Sequence, residues 1–380
     1  MATDGVTFTV AARQGCPWDA AGAIAPSSGG RVLTLRDVVW PALDCLVREF
    51  SLAGPRVFWQ LFELLTRESL TLPITGGGPR FSGINSDGTP WQFCVPLGAA
   101  VTGGVRYLTE IGVPGTTMSA RVRLARRRLD DVMDLLQLPA ETAGVVDALF
   151  GLLPQLADRL DALRGGVWVG VGAGADGQCG IRLYANNEWG DELARWQRLT
   201  TALRRLGAGG FGRLLRDHVA DLVQSFSPVG LAASLGRKTI LKLYLRPRAN
   251  PWEACTRLMQ QPVFGLPINL PQIEHAMGVR LSTLTERALV LSIAGSSDGQ
   301  EPDLKIDLNG QWLFDMQRTP EKTVESLATT FGIDPRPYRL ALSILQGAAA
   351  PGFVPVHDFI GFGGGAHGLR LNVYLRLAAS

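Results

Sequence analysis

The stretch "GRKTILKLYLRP", Gly236 to Pro247, alternates in a way that decides how the whole chain is read. Leu241, Leu243 and Leu245 occupy one parity, Lys242 and Tyr244 the other. A strand places residues i and i+2 on one face, so this segment is a strand with a leucine side and a Lys/Tyr side. Taken alone, its polar side reads as an ordinary solvated strand face. Its neighbours in the chain argue otherwise.

The same pattern returns along the sequence. Arg182 and Tyr184 alternate with Ile, Leu and Ala in "GIRLYAN", and Lys305 and Asp307 do so in "DLKIDLN". Arg370, Asn372 and Tyr374 do so in "LRLNVYL", while "VRYLTEIG" sets Arg106 and Glu110 on one parity. Each of these segments forms the second half of a strand pair. The pairs begin with "RFSGINSDGTPWQFCVPLG", "GVWVGVGAGADG", "SPVGLAASL", "ALVLSIAGSSDG" and "PVHDFIGFGGG". Asp176-Gly177 and Asp298-Gly299 are expected hairpin turns, because such dipeptides adopt the positive φ of tight turns readily. The pairs recur ~60 to 85 residues apart, the mark of a repeated supersecondary unit.

Helical periodicity fills the intervals. Helices are expected over about Leu33 to Phe50 and Pro55 to Glu68, then Met118 to Leu138 and Ala140 to Leu163. Others are expected over Glu192 to Leu206 and Gly212 to Ser225, after Pro251, around Gln272, and after Pro320 and Pro335. Strands that come in hairpins pair antiparallel, which excludes a parallel α/β fold. The expected class is α+β: about ten antiparallel strands in repeated hairpin-helix units, closed into a barrel inside a ring of helices. Closure removes the exposed edges. Helices must cover the leucine faces, so the polar faces point inward, and a barrel of this size encloses a chamber. Residues 1–30, ending in "APSSGG", are expected to be a loosely held arm. Residues 31–380 form the barrel domain, with 31–70 as N-terminal helices and 80–380 as the hairpin units.

Composition narrows the function. The chain has 380 residues, of which 46% are hydrophobic and 19% charged, with a net charge of +3. That is a globular protein with a large core and too little charge to imply nucleic acid. The basic run "RVRLARRR", Arg121 to Arg128, is followed at once by Asp130 and Asp131 and reads as a solvated helix face. Five cysteines are scattered without CxxC spacing, which argues for reduced thiols and against zinc or a disulfide framework. No leader opens the chain and no apolar run approaches the ~20 residues of a membrane span. A soluble, cytoplasmic protein is expected, with no membrane partner.

A chamber lined by cations and tyrosine rings suits a polyanion joined to a carbocation-like group. Cations grip phosphate oxygens, and ring faces stabilise positive charge. Here the segments "FSGINSDGTPWQF", "VRYLTEIG", "RLYAN", "LKLYLRP" and "LRLNVYL", in this order, resemble the aromatic prenyltransferases of the dimethylallyltryptophan-synthase type in their bacterial form, the ABBA or PT-barrel enzymes. The likeness runs from about Arg80 to the C-terminus. It implies transfer of a prenyl group, usually dimethylallyl, from an allylic prenyl diphosphate to an electron-rich aromatic acceptor, most often an indole, in alkaloid or other secondary metabolism. It implies no cofactor and no magnesium requirement.

Carried over residue by residue, the resemblance assigns diphosphate binding to Arg106, Arg182 and Lys242, with Lys305 and Arg370 as further lumen cations. Tyr184, Tyr244 and Tyr374 become shields of the allyl cation. Three departures stand out. Gln92 replaces the glutamate that accepts the indole N–H. Ile240 stands where a third cation is common, with Lys238 as a possible substitute, and Lys305-x-Asp307 replaces Gln-x-Tyr. Glu110 and Asp307 are candidate bases. Trp91 and Trp168 are candidate walls of the acceptor pocket, with core packing the equal alternative.

Rival signals are weaker. "LDDVMDLL" spells DDxxD at Asp130, Asp131 and Asp134, the magnesium motif of all-helical terpenoid enzymes, yet the chain has hairpins throughout and no second such motif. A terpene cyclase or non-catalytic isoprenoid-diphosphate binder on the same barrel is the nearer alternative. "GVGAGADG" and "GFGGGAHG" read as turns, not nucleotide loops. His218, His275, His357 and His367 are isolated; His357 and His367 flank the last hairpin, where surface positions are expected.

Overall fold

A computed structural model describes residues 33–50, 56–73, 81–85, 87–98, 104–173, 179–219, 222–236, 239–248, 251–264, 270–299, 302–310, 319–365 and 368–380. The expected arm, the Asp176-Gly177 turn, Lys238 and His367 lie outside these residues. Ten strands come as five consecutive pairs separated by helices: β1 Trp91–Leu97, β2 Val105–Glu110, β3 Val167–Ala173, β4 Cys179–Asn186, β5 Phe226–Leu235, β6 Ile240–Pro247, β7 Leu289–Ser296, β8 Asp303–Asn309, β9 Phe353–Gly365 and β10 Gly368–Ala379. Each pairs antiparallel with its neighbours in the chain, and β1 pairs with β10, closing the sheet into a barrel.

The leucine faces turn outward as their periodicity dictates. Leu241, Leu243 and Leu245 of β6 are fully buried beneath the helical layer, each such side chain contributing about 1.5–3 kcal/mol. On the opposite side of the barrel the helix Arg56–Leu70 sets Phe58 and Phe62 edge-on against Tyr107 of β2, with ring centroids at 5.3 and 5.2 Å. Side-chain caps start several helices: Thr117, Asp191 and Thr319 accept from Ala120, Ala194 and Lys322 backbone N–H groups, satisfying donors that a helix leaves orphaned.

Two expectations are corrected. The helix expected over Ala140 to Leu163 is two, Glu141–Phe150 and Ala157–Asp161; Pro154 between them has no N–H to continue the ladder. The stretch from Phe81 to Pro90, expected to be strand-like, is a compact strap. The N–H groups of Phe81 and Ser82 both donate to Gly88 O at 2.8 Å, and Gly88 takes φ +86°, a region that glycine enters without strain.

Small residues on the inward faces of β3 and β9 make room for large ones opposite. A Cβ on Gly170 would lie 3.1 Å from the Tyr184 ring, and one on Gly172 would lie 3.2 Å from Arg106 Cγ. On Gly361 it would lie 2.2 Å from Asp307 Oδ1. These glycines are where the lumen's cations and rings find their space.

Candidate active site

The barrel encloses a cavity of about 490 Å3, lined among others by Arg106, Arg182, Lys242, Lys305, Arg370 and Tyr374. One cation comes from the second strand of each hairpin, so the alternation read in the sequence brings five side chains from five strands to one space. They are not equivalent. Arg370 is paired with Asp303, and Lys305 Nζ lies 2.5 Å from Asp307 Oδ1 while donating to the Tyr374 hydroxyl at 2.7 Å. The β8–β10 wall is therefore close to charge-neutral. Arg106, Arg182 and Lys242, on β2, β4 and β6, have no carboxylate partner among the described residues.

Lys242 is buried, and its ammonium is held well below its usual pKa. Burial is the first cause and the nearby cations Lys305, Arg182 and Arg370 add to it, with Asp307 acting the other way. Its Nζ stands 5.0 Å from the centre of the Tyr244 ring, and that ring lies 6.0 Å from Tyr184. Lys305 Nζ lies 4.9 Å from the Tyr374 ring. Burial pushes the Tyr244 and Tyr374 phenols well up, so both remain neutral rings. The arrangement is an uncompensated positive pole beside aromatic faces in a confined space, suited to an anion bearing a cationic or hydrophobic tail.

The end of the barrel beneath the strap is built differently. Glu110 Oε2 accepts from Ser82 Oγ at 2.7 Å, Gly83 N at 3.1 Å and Trp168 Nε1 at 3.0 Å. Its carboxyl is raised by burial, against those donors and Arg121. Glu110 thus ties the strap and the Trp168 ring to β2, and one of its two oxygens is fully engaged. Trp168 shares the inward parity of Gly170 and Gly172 and can face the chamber. Trp91 does not. It shares parity with Phe93, whose ring lies 5.5 Å away, and both belong to the apolar layer outside the barrel. The reading of Trp91 as an acceptor wall is corrected on that ground.

Gln92, on the same face as the lumen residue Cys94, donates from Nε2 to Asn85 Oδ1 at 2.8 Å and to Asp358 Oδ2 at 3.4 Å. Asp358 in turn accepts from Arg376 Nε at 2.8 Å, and Arg376 Nη1 donates to Asp87 Oδ2 at 2.6 Å. Asn85, Asp358 and Arg376 were not anticipated from the sequence. A bulge between Tyr374 and Leu375 shifts the β9 register, pairing Phe359 with Tyr374 but His357 with Leu375. That shift turns Asp358 toward Arg376. It turns His357 outward, where it is buried with Nε2 2.8 Å from the Tyr338 hydroxyl, instead of at the surface.

Asp130, Asp131 and Asp134 lie on the exposed side of the helix Met118–Leu135, away from the lumen. Asp130 pairs with Arg126 at 3.7 Å and Asp131 with Arg128 at 3.1 Å, while Leu129 and Val132 face the core. Among the described residues no group of three His, Cys, Asp or Glu side chains is placed to hold an ion, and no helix is long and apolar enough to cross a membrane.

By sequence the chain matches no protein-family model and no curated protein. By structure it is similar to 5-dimethylallyltryptophan synthase from Streptomyces coelicolor, with a TM-score of 0.69 and 17% identity over 91% of this chain and 98% of that one. It is similar to 6-dimethylallyltryptophan synthase from Micromonospora olivasterospora in complex with DMASPP and Trp, with a TM-score of 0.71 and 20% identity over 90% and 97% of the two chains. The prenyltransferase PriB, in ternary complex with L-tryptophan and dimethylallyl thiolodiphosphate, gives 0.67 and 17% over 90% and 96%. These likenesses establish the fold: a ten-stranded antiparallel prenyltransferase barrel within a helical ring.

Proposed function

We propose that this protein is an aromatic prenyltransferase, moving a dimethylallyl or related allylic group from its diphosphate to an indole or similar electron-rich ring. One observation carries the reading: Arg106, Arg182 and the buried Lys242 line one wall of the lumen as a positive pole without carboxylate partners among the described residues, beside the lumen's tyrosine rings. A diphosphate seated there meets preorganised charge as its C–O bond breaks, and the electron pair leaves with it. Tyr184, Tyr244 and Tyr374 flank the allyl cation and keep water from it. The acceptor ring attacks from the Trp168 side, with Gln92 Oε1 accepting its N–H. Asp307, held by Lys305 on the inward face of β8, takes the proton that restores aromaticity. The lumen's cations supply the charge that magnesium supplies in other diphosphate chemistry, so the reaction runs without it. The structural relatives bound to tryptophan and dimethylallyl analogues support the choice of both substrates.

The test is incubation with dimethylallyl diphosphate and a panel of indoles, with and without EDTA. Prenylated product that survives EDTA is the expected result. Loss of activity with EDTA and in Asp131→Ala would favour the helical, magnesium-dependent reading. Diphosphate binding with no product on any aromatic would favour an isoprenoid cyclase or binding protein.

A further inference from the structure

An amide side chain has two ends of nearly equal size, so its hydrogen-bond partners alone decide which end faces a ligand. At Gln92 they decide it twice. Asn85 Nδ2 donates to the backbone carbonyls of Thr89 at 3.2 Å and Trp91 at 2.8 Å, groups that only accept, so the Asn85 Oδ1 that meets Gln92 at 2.8 Å is an acceptor. The second partner, Asp358 Oδ2, is an acceptor too. Both contacts therefore hold the Gln92 NH2 group, and the carbonyl oxygen is the end left for the lumen. Gln92, Asn85, Asp358 and Arg376 are all more than nine-tenths buried, so water cannot rescue a flipped amide cheaply.

Asp358 does more than hold an orientation. A carboxylate behind the amide nitrogen polarises the group, placing more negative charge on Oε1. The Arg376 guanidinium, fixed by Asp87 of the strap, keeps that carboxylate in place. We propose that Asp358 is a positioning residue which, acting through Gln92, selects acceptors that carry a ring N–H; this rests on the prenyl-transfer reading above. Burial raises the Asp358 carboxyl to about 6, with Arg376 and the Gln92 amide opposing, so it is ionised at neutral pH.

The experiment compares an indole with its N-methyl analogue in the full-length protein, and measures dimethylallyl thiolodiphosphate binding by calorimetry. Asp358→Asn should lower kcat/KM for the N–H indole about tenfold, leaving the N-methyl rate and thiolodiphosphate affinity unchanged. Asp358→Glu keeps a carboxylate between the Gln92 amide and Arg376, and should retain the preference for the N–H acceptor. Equal losses on both acceptors, or loss of thiolodiphosphate affinity, would overturn the proposal. If Asp358→Asn does not fold, Asp358→Glu decides, and a folded Asp358→Glu protein without N–H preference overturns it. A wild-type protein that prenylates both acceptors equally sinks this inference alone, whereas one that prenylates nothing sinks the function itself.

Discussion

Replacing Lys242 with methionine separates the cost of the positive pole from its use. Lys242 is 6% exposed. Three cations raise its cost, and the carboxylate that opposes them, Asp307, already lies 2.5 Å from Lys305. Methionine fills a similar volume without the charge. Exchanging unmatched buried charge for apolar groups typically stabilises by about 1–4 kcal/mol, so the melting temperature should rise by at least about 2 °C. Diphosphate binding should move the other way. Loss of one hydrogen bond between charged partners costs about 1.5–3 kcal/mol, which is roughly 10- to 150-fold in affinity.

The pH dependence gives a second readout. The folded pKa of Lys242 lies below its unfolded value of 10.5. Between the two, the unfolded chain carries a proton that the folded chain does not, so wild-type stability gains as pH rises through that window. The methionine variant lacks this gain, and its advantage should be largest at the acid end of that window and shrink as pH rises through it. Diphosphate binding should favour the charged form of Lys242, and the proton uptake this drives should show as a buffer-dependent enthalpy that weakens in Lys242→Met. Thermal scans across pH and calorimetry with the thiolodiphosphate check all of this. A variant that melts lower at every pH and binds the analogue as wild type does would refute the reasoning.

Other substitutions probe the frame. Gly361→Ala puts a Cβ 2.2 Å from Asp307 Oδ1 and 3.2 Å from Lys305 Nζ; overpacking of about 1–3 kcal/mol should displace that pair and slow turnover severalfold in a protein that still folds by circular dichroism. Leu243→Ala, at a fully buried outward position, should cost about 2–5 kcal/mol in urea unfolding while activity of the folded fraction is kept. Asp131→Ala removes only an exposed helix contact and should change stability by no more than about 0.5 kcal/mol, with activity unchanged in EDTA. Protonation of Asp358, whose neighbours are Arg376 on β10, Asp87 on the strap and Gln92 on β1, should reduce turnover of N–H acceptors as pH falls below about 6, a loss that the N-methyl analogue should not share.

The barrel was legible because period-two alternation states a strand's two faces directly. Leu241, Leu243 and Leu245 against Lys242 and Tyr244 specify inside and outside once helices must cover the apolar side. The same parity brings all five cations to the lumen. It also separates Trp91 from Gln92, since adjacent strand residues cannot share a face, and the outward place of Trp91 follows from that rule. The strap was misread because its aromatic and isoleucine residues suggested a strand, although Gly83, Asn85, Asp87 and Gly88 are turn formers. The Asp358 cluster was hidden for another reason. Strict alternation from Phe359 puts His357 inward and Asp358 outward, and only the bulge opposite Tyr374 and Leu375 reverses them. Pairing states of Lys305 and Arg370 were equally out of reach: Asp307 shares the β8 face of Lys305, Asp303 meets Arg370 of β10 from β8, two strands away, and both contacts depend on rotamers.

The central claim is that the diphosphate sits on the pole formed by β2, β4 and β6. A crystal structure with dimethylallyl thiolodiphosphate tests it most directly. Diphosphate oxygens within hydrogen-bond reach of Arg106, Arg182 and Lys242, with the prenyl tail among Tyr184, Tyr244 and Tyr374, are the predicted result. Diphosphate on the outer helix at Asp130, Asp131 and Asp134, or a lumen left without it at saturating analogue, would contradict the account.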